Sequence, residues 1–348
     1  MLSREADAVL ARLEDAGHAA YAVGGCVRDL LRGAVPHDWD VTTSARPEEV
    51  MALFPGRCIP TGLPHGTVTV RENHQSIEVT TFRADGPYDD GRHPRSVTFS
   101  TRIEDDLARR DFTVNAMALD RRGTLVDVFD GREDLARGVI RCVGEPDRRF
   151  GEDALRVMRA LRFAACFGFS IGEETARGLR RSAPGLRRIA AERLREEMTK
   201  LLCGDGAAAV LLAYPEVIGV FLPEILPSVG FEQHNPHHCY TVWEHLVRSA
   251  AAVSTPRSAY SPKCAHLRRM WSVIHGRSRC TTVSSAPLSA PLCVAGIHDC
   301  PQMTSSHAPA QTVRMRLARR FMLFPLPSAR GSCPPSTCGT WRRSCRCR

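Results

Sequence analysis

Gly24-Gly25-Cys26-Val27-Arg28-Asp29, followed shortly by Asp38-Trp39-Asp40, is the stretch on which the reading of this chain turns. Glycines let a backbone approach phosphate oxygens closely, because no side chain stands in the way. The guanidinium of Arg28 can fork onto a phosphate. Asp38 and Asp40, at i and i+2 of a predicted strand, point to one face of a sheet. There they can hold Mg²⁺, a hard cation bound by carboxylates together with substrate phosphates. A lone Asp-x-Asp is more often a pair of solvated turn acids. Placed after the glycine–arginine run, it reads instead as part of a nucleoside triphosphate site, with Glu78 on a neighbouring strand as a third acid.

Around this stretch, residues 19–23 read as a short buried strand and residues 26–32 as a helix closed by Gly33. Residues 38–43 read as a second strand, and 46–53 as a helix with Ser44 as N-cap and Pro47 in its first turn. Strands are predicted over 67–70 and 76–82, joined by a turn at Glu72-Asn73-His74. Residues 83–94 are rich in Gly, Pro and Asp and read as a loop; 104–110 and 114–118 look helical, and 125–128 is a last short strand. Leu2, Ala6, Val9, Leu10 and Leu13 lie on one helical face, and the acids among them exclude a signal peptide. From Asp134 to about Ser249 the pattern is helical. The fold class is therefore an α/β head with a small mixed β-sheet, followed by an all-helical neck and body. The domains are read as a catalytic head over 1–149, a neck over 150–206, a body over 207–254 and an atypical tail over 255–348.

The net charge of +9 suggests nucleic acid at first sight, but its distribution argues otherwise. Residues 1–254 hold 32 Lys/Arg against 37 Asp/Glu, a net of −5, and residues 255–348 hold 15 against one, a net of +14. The tail carries eight of the 14 cysteines, no Glu, and runs such as Gly331-Ser332-Cys333-Pro334-Pro335-Ser336. A basic RNA-binding arm, or a zinc site from Cys333, Cys338, Cys345 and Cys347, is one reading. Those spacings fit no common zinc pattern. A shift of reading frame in a GC-rich gene is preferred, with the tail expected to be disordered or poorly packed. No apolar run is long enough to cross a bilayer, so a cytoplasmic protein is expected.

Two further blocks carry chemistry. In Arg109-Arg110-Asp111-Phe112-Thr113-Val114-Asn115-Ala116-Met117-Ala118, Arg110 can pair with a triphosphate, Asp111 can accept from ribose hydroxyls, Phe112 faces inward, and Arg109 reads as a solvent-facing ion pair. In Glu152-Asp153-Ala154-Leu155-Arg156-Val157-Met158-Arg159-Ala160-Leu161-Arg162-Phe163, Asp153 and Arg156 stand at i and i+3, neighbours on one helix face. A carboxylate accepts hydrogen bonds and a guanidinium donates them. Cytosine and adenine both offer an amine donor beside a ring-nitrogen acceptor, and this pair matches that edge. Guanine and uracil present a carbonyl beside an N–H, the wrong order. An unmet buried polar group costs about 1–3 kcal/mol, enough for discrimination. Arg159 and Arg162 are expected to reach phosphates or to brace Asp153.

Together with Val23-Gly24-Gly25-Cys26-Val27-Arg28-Asp29-Leu30-Leu31 and Asp38-Trp39-Asp40, these blocks resemble the tRNA nucleotidyltransferase/poly(A) polymerase family, which includes bacterial CCA-adding enzymes; the likeness runs from about residue 15 to 250. The resemblance implies addition of C, C and A to the 3′ end of tRNA from CTP and ATP, with Mg²⁺ on Asp38 and Asp40 and no nucleic-acid template. Gly25 and Arg28 would hold the triphosphate, supported by Arg110. Pro87-Tyr88-Asp89-Asp90-Gly91-Arg92-His93-Pro94 resembles the loop used by CCA-adding members in switching from C to A. His234 to His245 resembles the opening of an HD domain, with His245 at the first metal histidine; the His-Asp pair expected after it is absent, and His298-Asp299 is too distant. Poly(A) polymerase, an HD-type phosphohydrolase and a catalytically weak tRNA-binding remnant are the alternatives. No protein or membrane partner is indicated.

Overall fold

The computed structural model describes residues 2–88, 95–234 and 239–252. The chain opens with α1 (Arg4–Asp15), capped by the Ser3 hydroxyl, which accepts from the Ala6 N–H at 3.1 Å. There follow β1 (Ala20–Val23), α2 (Gly25–Leu31), β2 (Trp39–Thr43), α3 (Pro47–Leu53), β3 (Cys58–Gly62), β4 (Thr67–Glu72) and β5 (Gln75–Thr81). A ribbon of β6 (Arg83–Asp85) and β7 (Val97–Phe99), then α4 (Ile103–Ala108), β8 (Met117–Leu119) and β9 (Leu125–Asp127), complete the head. Seven strands form one mixed sheet of order β3-β4-β5-β2-β1-β8-β9. β2 is antiparallel to β1 and parallel to β5, and α3 with the β3–β4 hairpin supplies the crossover that a parallel neighbour requires.

The two-residue period of the strands sorts the sheet into two faces. Trp39 and Val41 of β2, and Ile77 and Val79 of β5, are buried in one core with Val9, Leu10 and Leu13 of α1 and with Val50 and Phe54. Asp40 and Glu78 pair in register across β2 and β5 and so point to the other face. That face bears a smaller core of Val23, Phe82, Ile103, Leu107, Ala116, Ala118 and Val143.

Several local expectations are corrected. Residues 114–118 are a 3-10 turn (Thr113–Asn115) running into β8, because Ala118 and Leu119 pair with β1 and tertiary pairing outweighs helix propensity. Residues 83–94 begin with β6 rather than a loop, because Arg83–Asp85 finds a partner in β7. Asp38 stands one residue before β2, not within it. Arg46 is the N-cap of α3; Ser44 instead accepts from the Ala19 N–H at 3.0 Å. The β4–β5 turn is as expected, with positive φ at both Asn73 and His74.

The second part contains α5 (Gly131–Arg137), β10 (Val139–Ile140), α6 (Pro146–Glu152), α7 (Leu155–Phe167), β11 (Ser170–Ile171), α8 (Glu173–Ser182), α9 (Ala191–Leu202), α10 (Ala207–Ala213), α11 (Pro215–Ile218) and α12 (Val242–Ala252). It is not wholly helical, since β10 and β11 pair in parallel. Its core is built on α7, whose Val157, Met158, Ala160, Leu161 and Ala164 are buried with Leu194, Met198 and Leu201 of α9. Phe112, Val114, Ile140 and Cys142 join the same core, so head and helices share apolar packing. Arg156, Arg159 and Arg162 recur every three residues along α7 and form one stripe. No helix among the described residues is long and apolar enough to cross a membrane. The expectations for Asp89 to Pro94, His237 and His238, and 255–348 with their cysteines and His298-Asp299, lie outside the described residues.

Candidate active site

Gly24 ends β1 with φ of 82° and ψ of −131°, a region nearly closed to residues with a side chain. A Cβ built there would stand 3.0 Å from Nη1 of Arg110 and 3.7 Å from Oδ2 of Asp40. Gly24 therefore lets a guanidinium and a carboxylate close over the same backbone. Burial lifts the Asp40 carboxyl most; Arg110 pulls it back down, and Glu78 and Asp38 push it up again, to about 6. Burial, with the charges of Glu78 and Asp38, thus outweighs the pull of Arg110 at this point of the sheet. Arg110 is anchored through Nη2 on the fully buried Asp106 at 3.0 Å, while its Nε is buried without a partner. Asp38 and Glu78 are exposed. Among the described residues no three His, Cys, Asp or Glu side chains form a metal-holding group, so Asp38, Asp40 and Glu78 do not close into a cage.

Arg28, on α2, is buried and turned toward the helical part. Its Nε and Nη2 donate to the two oxygens of Asp29, both at 3.0 Å, and its Nη1 donates to Oδ1 of Asn115 at 2.6 Å. Nη2 and Nη1 lie 3.6 and 3.9 Å from the Cβ position of Gly25, so the two sequence neighbours are brought face to face. Asn115 donates to Oδ1 of Asp111 at 3.1 Å, and Arg159 donates to Oδ2 through Nε at 2.8 Å and Nη2 at 2.5 Å. Burial alone would raise the Asp111 carboxyl, but Arg159 and the hydrogen bonds from Asn115 and Arg159 hold it far below the usual carboxylate range. Oδ1 also accepts from the Phe112 N–H at 2.8 Å, so each Asp111 oxygen accepts twice, its four acceptor sites are filled, and in this arrangement it orients Arg159 rather than offering itself to a ribose. Asp29, Arg28, Asn115, Asp111 and Arg159 form one continuous polar chain from α2 to α7.

Asp153 is not on the helix face expected for it. It has extended backbone (φ −143°, ψ 106°) at the break between α6 and α7. There its Oδ1 accepts from the Leu155 N–H at 2.9 Å and caps α7, and Arg193 of α9 pairs with Oδ2 at 3.3 Å. Arg159 hydrogen-bonds Asp111 and Arg162 pairs with Glu197 at 2.5 Å, so neither hydrogen-bonds Asp153, which lies within electrostatic reach of Arg159. Arg156 spends Nη1 on Glu152 at 2.6 Å and on the Arg149 carbonyl at 3.0 Å, and Nη2 on the Arg109 carbonyl at 3.3 Å. Its Nε and one Nη2 N–H are left over, a side-on fork. Arg109 does not face solvent; it pairs with Asp106 at 2.7 Å. Tyr88 lies within electrostatic reach of Arg156 and donates to Asp85 at 2.7 Å; burial and that hydrogen bond push its phenol up to about 12.

Sequence reasoning missed Asp106, Asn115, Glu152 and Arg193. Glu152 gathers Arg148, Arg149 and Arg156. Asp106 is the i−3 and i−4 neighbour of Arg109 and Arg110, a spacing that could have marked it. Asn115 and Arg193 left no such signal.

Residues 20–141 match the family described as the Poly A polymerase head domain, and residues 168–226 match the "Probable RNA and SrmB- binding site of polymerase A". The crystal structure of the Bacillus stearothermophilus CCA-adding enzyme in complex with CTP is 33% identical and superposes with a TM-score of 0.58, covering 94% of this chain and 84% of that one. The chain belongs to the tRNA nucleotidyltransferase/poly(A) polymerase family. A family member from Leuconostoc mesenteroides, a CCA-adding enzyme, is 49% identical over 253 residues, 70% of this chain and 62% of the relative. The Geobacillus stearothermophilus CCA-adding enzyme is 48% identical over 221 residues, 63% of this chain and 54% of the relative. This family member thus spans little more than half the length of those two relatives. A tRNA nucleotidyltransferase solved with a primer tRNA and an incoming ATP analogue is 29% identical with a TM-score of 0.53.

Proposed function

We propose that the chain adds C, C and A to the 3′ end of tRNA from CTP and ATP, without a nucleic-acid template. The reading rests above all on the polar chain from Arg28 to Arg159, which ties the glycine turn beside the Asp40 strand to the helix bearing Arg156. In the reaction the 3′-oxygen of the RNA attacks the α-phosphorus, and the bond to the departing pyrophosphate breaks. Residues 1–149 act as catalytic head and 150–206 as the base-selecting neck.

Asp38 and Asp40 fit Mg²⁺, with Glu78 beside them: Glu78 stands opposite Asp40 in the β2–β5 register, both Glu78 and Asp38 act electrostatically on Asp40, and Mg²⁺ asks for one or two carboxylates plus phosphate oxygens rather than a closed protein cage. When bound there, the ion supplies charge neutralisation and alignment at the α-phosphate. Gly25 leaves the triphosphate room against Arg28, and Arg110, anchored on Asp106 beside Asp40, adds positive charge there. Asp111 orients Arg159 and Glu197 orients Arg162, so α7 presents two positioned guanidiniums whose charge those carboxylates balance. Asp153 accepts from the base amine while the side-on fork of Arg156 donates to the ring nitrogen, which admits cytosine and adenine. Uracil and guanine would leave both groups mismatched, a penalty of about 1–3 kcal/mol for each unmet group.

The full chain, incubated with tRNA lacking CCA and with each labelled triphosphate, should extend it by C, C and A, and Asp40→Ala should abolish extension. Absence of transfer from CTP and ATP refutes the reading. Long A tails with indifference to CTP replace it by poly(A) synthesis.

A further inference from the structure

The guanidinium of Arg28 is held by Asp29 and Asn115 and lies over two rings of the helical part. It lies 4.7 Å from the ring centroid of Phe167 and 5.4 Å from that of Phe163, both on α7. The two rings stack on each other at 5.5 Å with 17° between their planes. Phe163 in turn carries Arg162 at 3.9 Å and Arg159 at 5.4 Å, and Phe167 carries Arg32, the C-cap of α2, at 4.2 Å. Head arginines and neck phenylalanines thus stack into one array.

Of the five N–H groups of Arg28, three are spent on Asp29 and Asn115. The two left over sit one on Nη1 and one on Nη2, the atoms that lie against the bare Cα of Gly25. Two remaining donors at a side-chain-free turn can meet two oxygens of a phosphate. Asp29 and Asn115 fix two edges of the guanidinium, and the rings below fix its tilt. We propose that Phe163 and Phe167 are positioning residues for Arg28, holding its remaining fork toward the triphosphate. The proposal rests on the triphosphate role of Arg28 given above. It makes the head's grip on phosphate depend on side chains of the helix that selects the base.

Phe163 is 4% exposed and meets Phe112 edge-on at 5.8 Å, so its truncation threatens folding. Phe167 is half-buried and carries the test. In the full chain, Phe167→Leu should weaken CTP and ATP binding alike, by about tenfold, the scale of a partly desolvated cation–π contact. KM for both nucleotides should rise with kcat and the preference for CTP over UTP unchanged, and the melting temperature should stay close to that of the parent. Phe167→Tyr, which keeps the ring, should restore binding. Arg28→Gln should weaken binding at least as much, and adding Phe167→Leu to it should weaken binding no further. Unchanged CTP affinity in Phe167→Leu, additive losses in the double variant, or no rescue by Phe167→Tyr overturns the positioning proposal alone. Unchanged affinity in Arg28→Gln overturns the triphosphate role of Arg28, and the proposal with it.

Discussion

Gly24 and Asp40 show how much of the site is settled by single residues. With φ of 82° and a Cβ position 3.0 Å from Arg110, Gly24 has both a backbone and a steric reason to be glycine. Gly24→Ala should destabilise the fold by about 1–3 kcal/mol, read by urea denaturation, and should displace Arg110 from Asp40. Asp40 has the opposite character: its folded carboxyl, pushed to about 6, binds its proton more tightly than in the unfolded chain, where an aspartate titrates near 3.9. Between those values the folded state holds more protons, so this group's contribution is present below about pH 4 and fades as pH rises through about 6. In chelator, Asp40→Asn should flatten that fall and raise stability at pH 7.5 by about 1–2 kcal/mol. A parent with no loss of stability between pH 4 and 7, or a variant with an unchanged slope, counts against the raised carboxyl of Asp40.

At the level of elements, the break between α6 and α7 matters more than either helix. An uninterrupted helix would have set Asp153 and Arg156 on one face; the extended backbone at Asp153 instead lets its carboxylate cap α7 and reach Arg193 on α9. Capping and the base reading proposed for Asp153 are therefore separable. Asp153→Ser keeps an oxygen for the cap, since Ser and Asp serve about equally there, so it should cost under about 1 kcal/mol in thermal unfolding while erasing the preference for CTP over UTP in incorporation assays. A variant that remains selective would place base recognition elsewhere. The strand pair β2–β5 does comparable work in the head, since its parallel register sets Glu78 opposite Asp40.

Across the whole molecule, head and neck are joined by buried polar groups as well as by apolar contact. Asn115 links Arg28 to Asp111, and Asp111 pairs with Arg159. Asp111 is buried and Arg159 is 34% exposed, so removing the guanidinium leaves the Asp111 carboxylate short of a partner and Arg159→Met should cost about 1–3 kcal/mol. In a double-mutant cycle with Asn115→Ala, coupling above about 0.5 kcal/mol is expected; simple additivity would show that Asp111 does not connect them. The sign with pH is opposite to that of Asp40. The Asp111 carboxyl is depressed in the fold, so its stabilisation is present above about pH 4 and is lost on further acidification. Arg159→Met should remove that part of the acid dependence.

The local parts were legible in the sequence because they follow from short-range chemistry. The glycine turn, the alternating strand of Trp39, Asp40 and Val41, the inward Phe112, the two-residue turn at Asn73 and His74, and the arginine stripe of α7 each need only neighbours in the chain. What Val114 to Ala118, Arg83 to Asp85 and Asp153 would do was not legible, because partners distant in sequence decide it: β1, β7 and Arg193. The same holds for the company each site residue keeps. Sequence named the residue types that bind phosphate, hard cations and base edges; only tertiary packing assigned Arg159 to Asp111, Arg162 to Glu197 and Arg28 to the rings of α7, because the lowest-energy partner of a buried charge is whichever opposite charge or π-face the fold brings beside it.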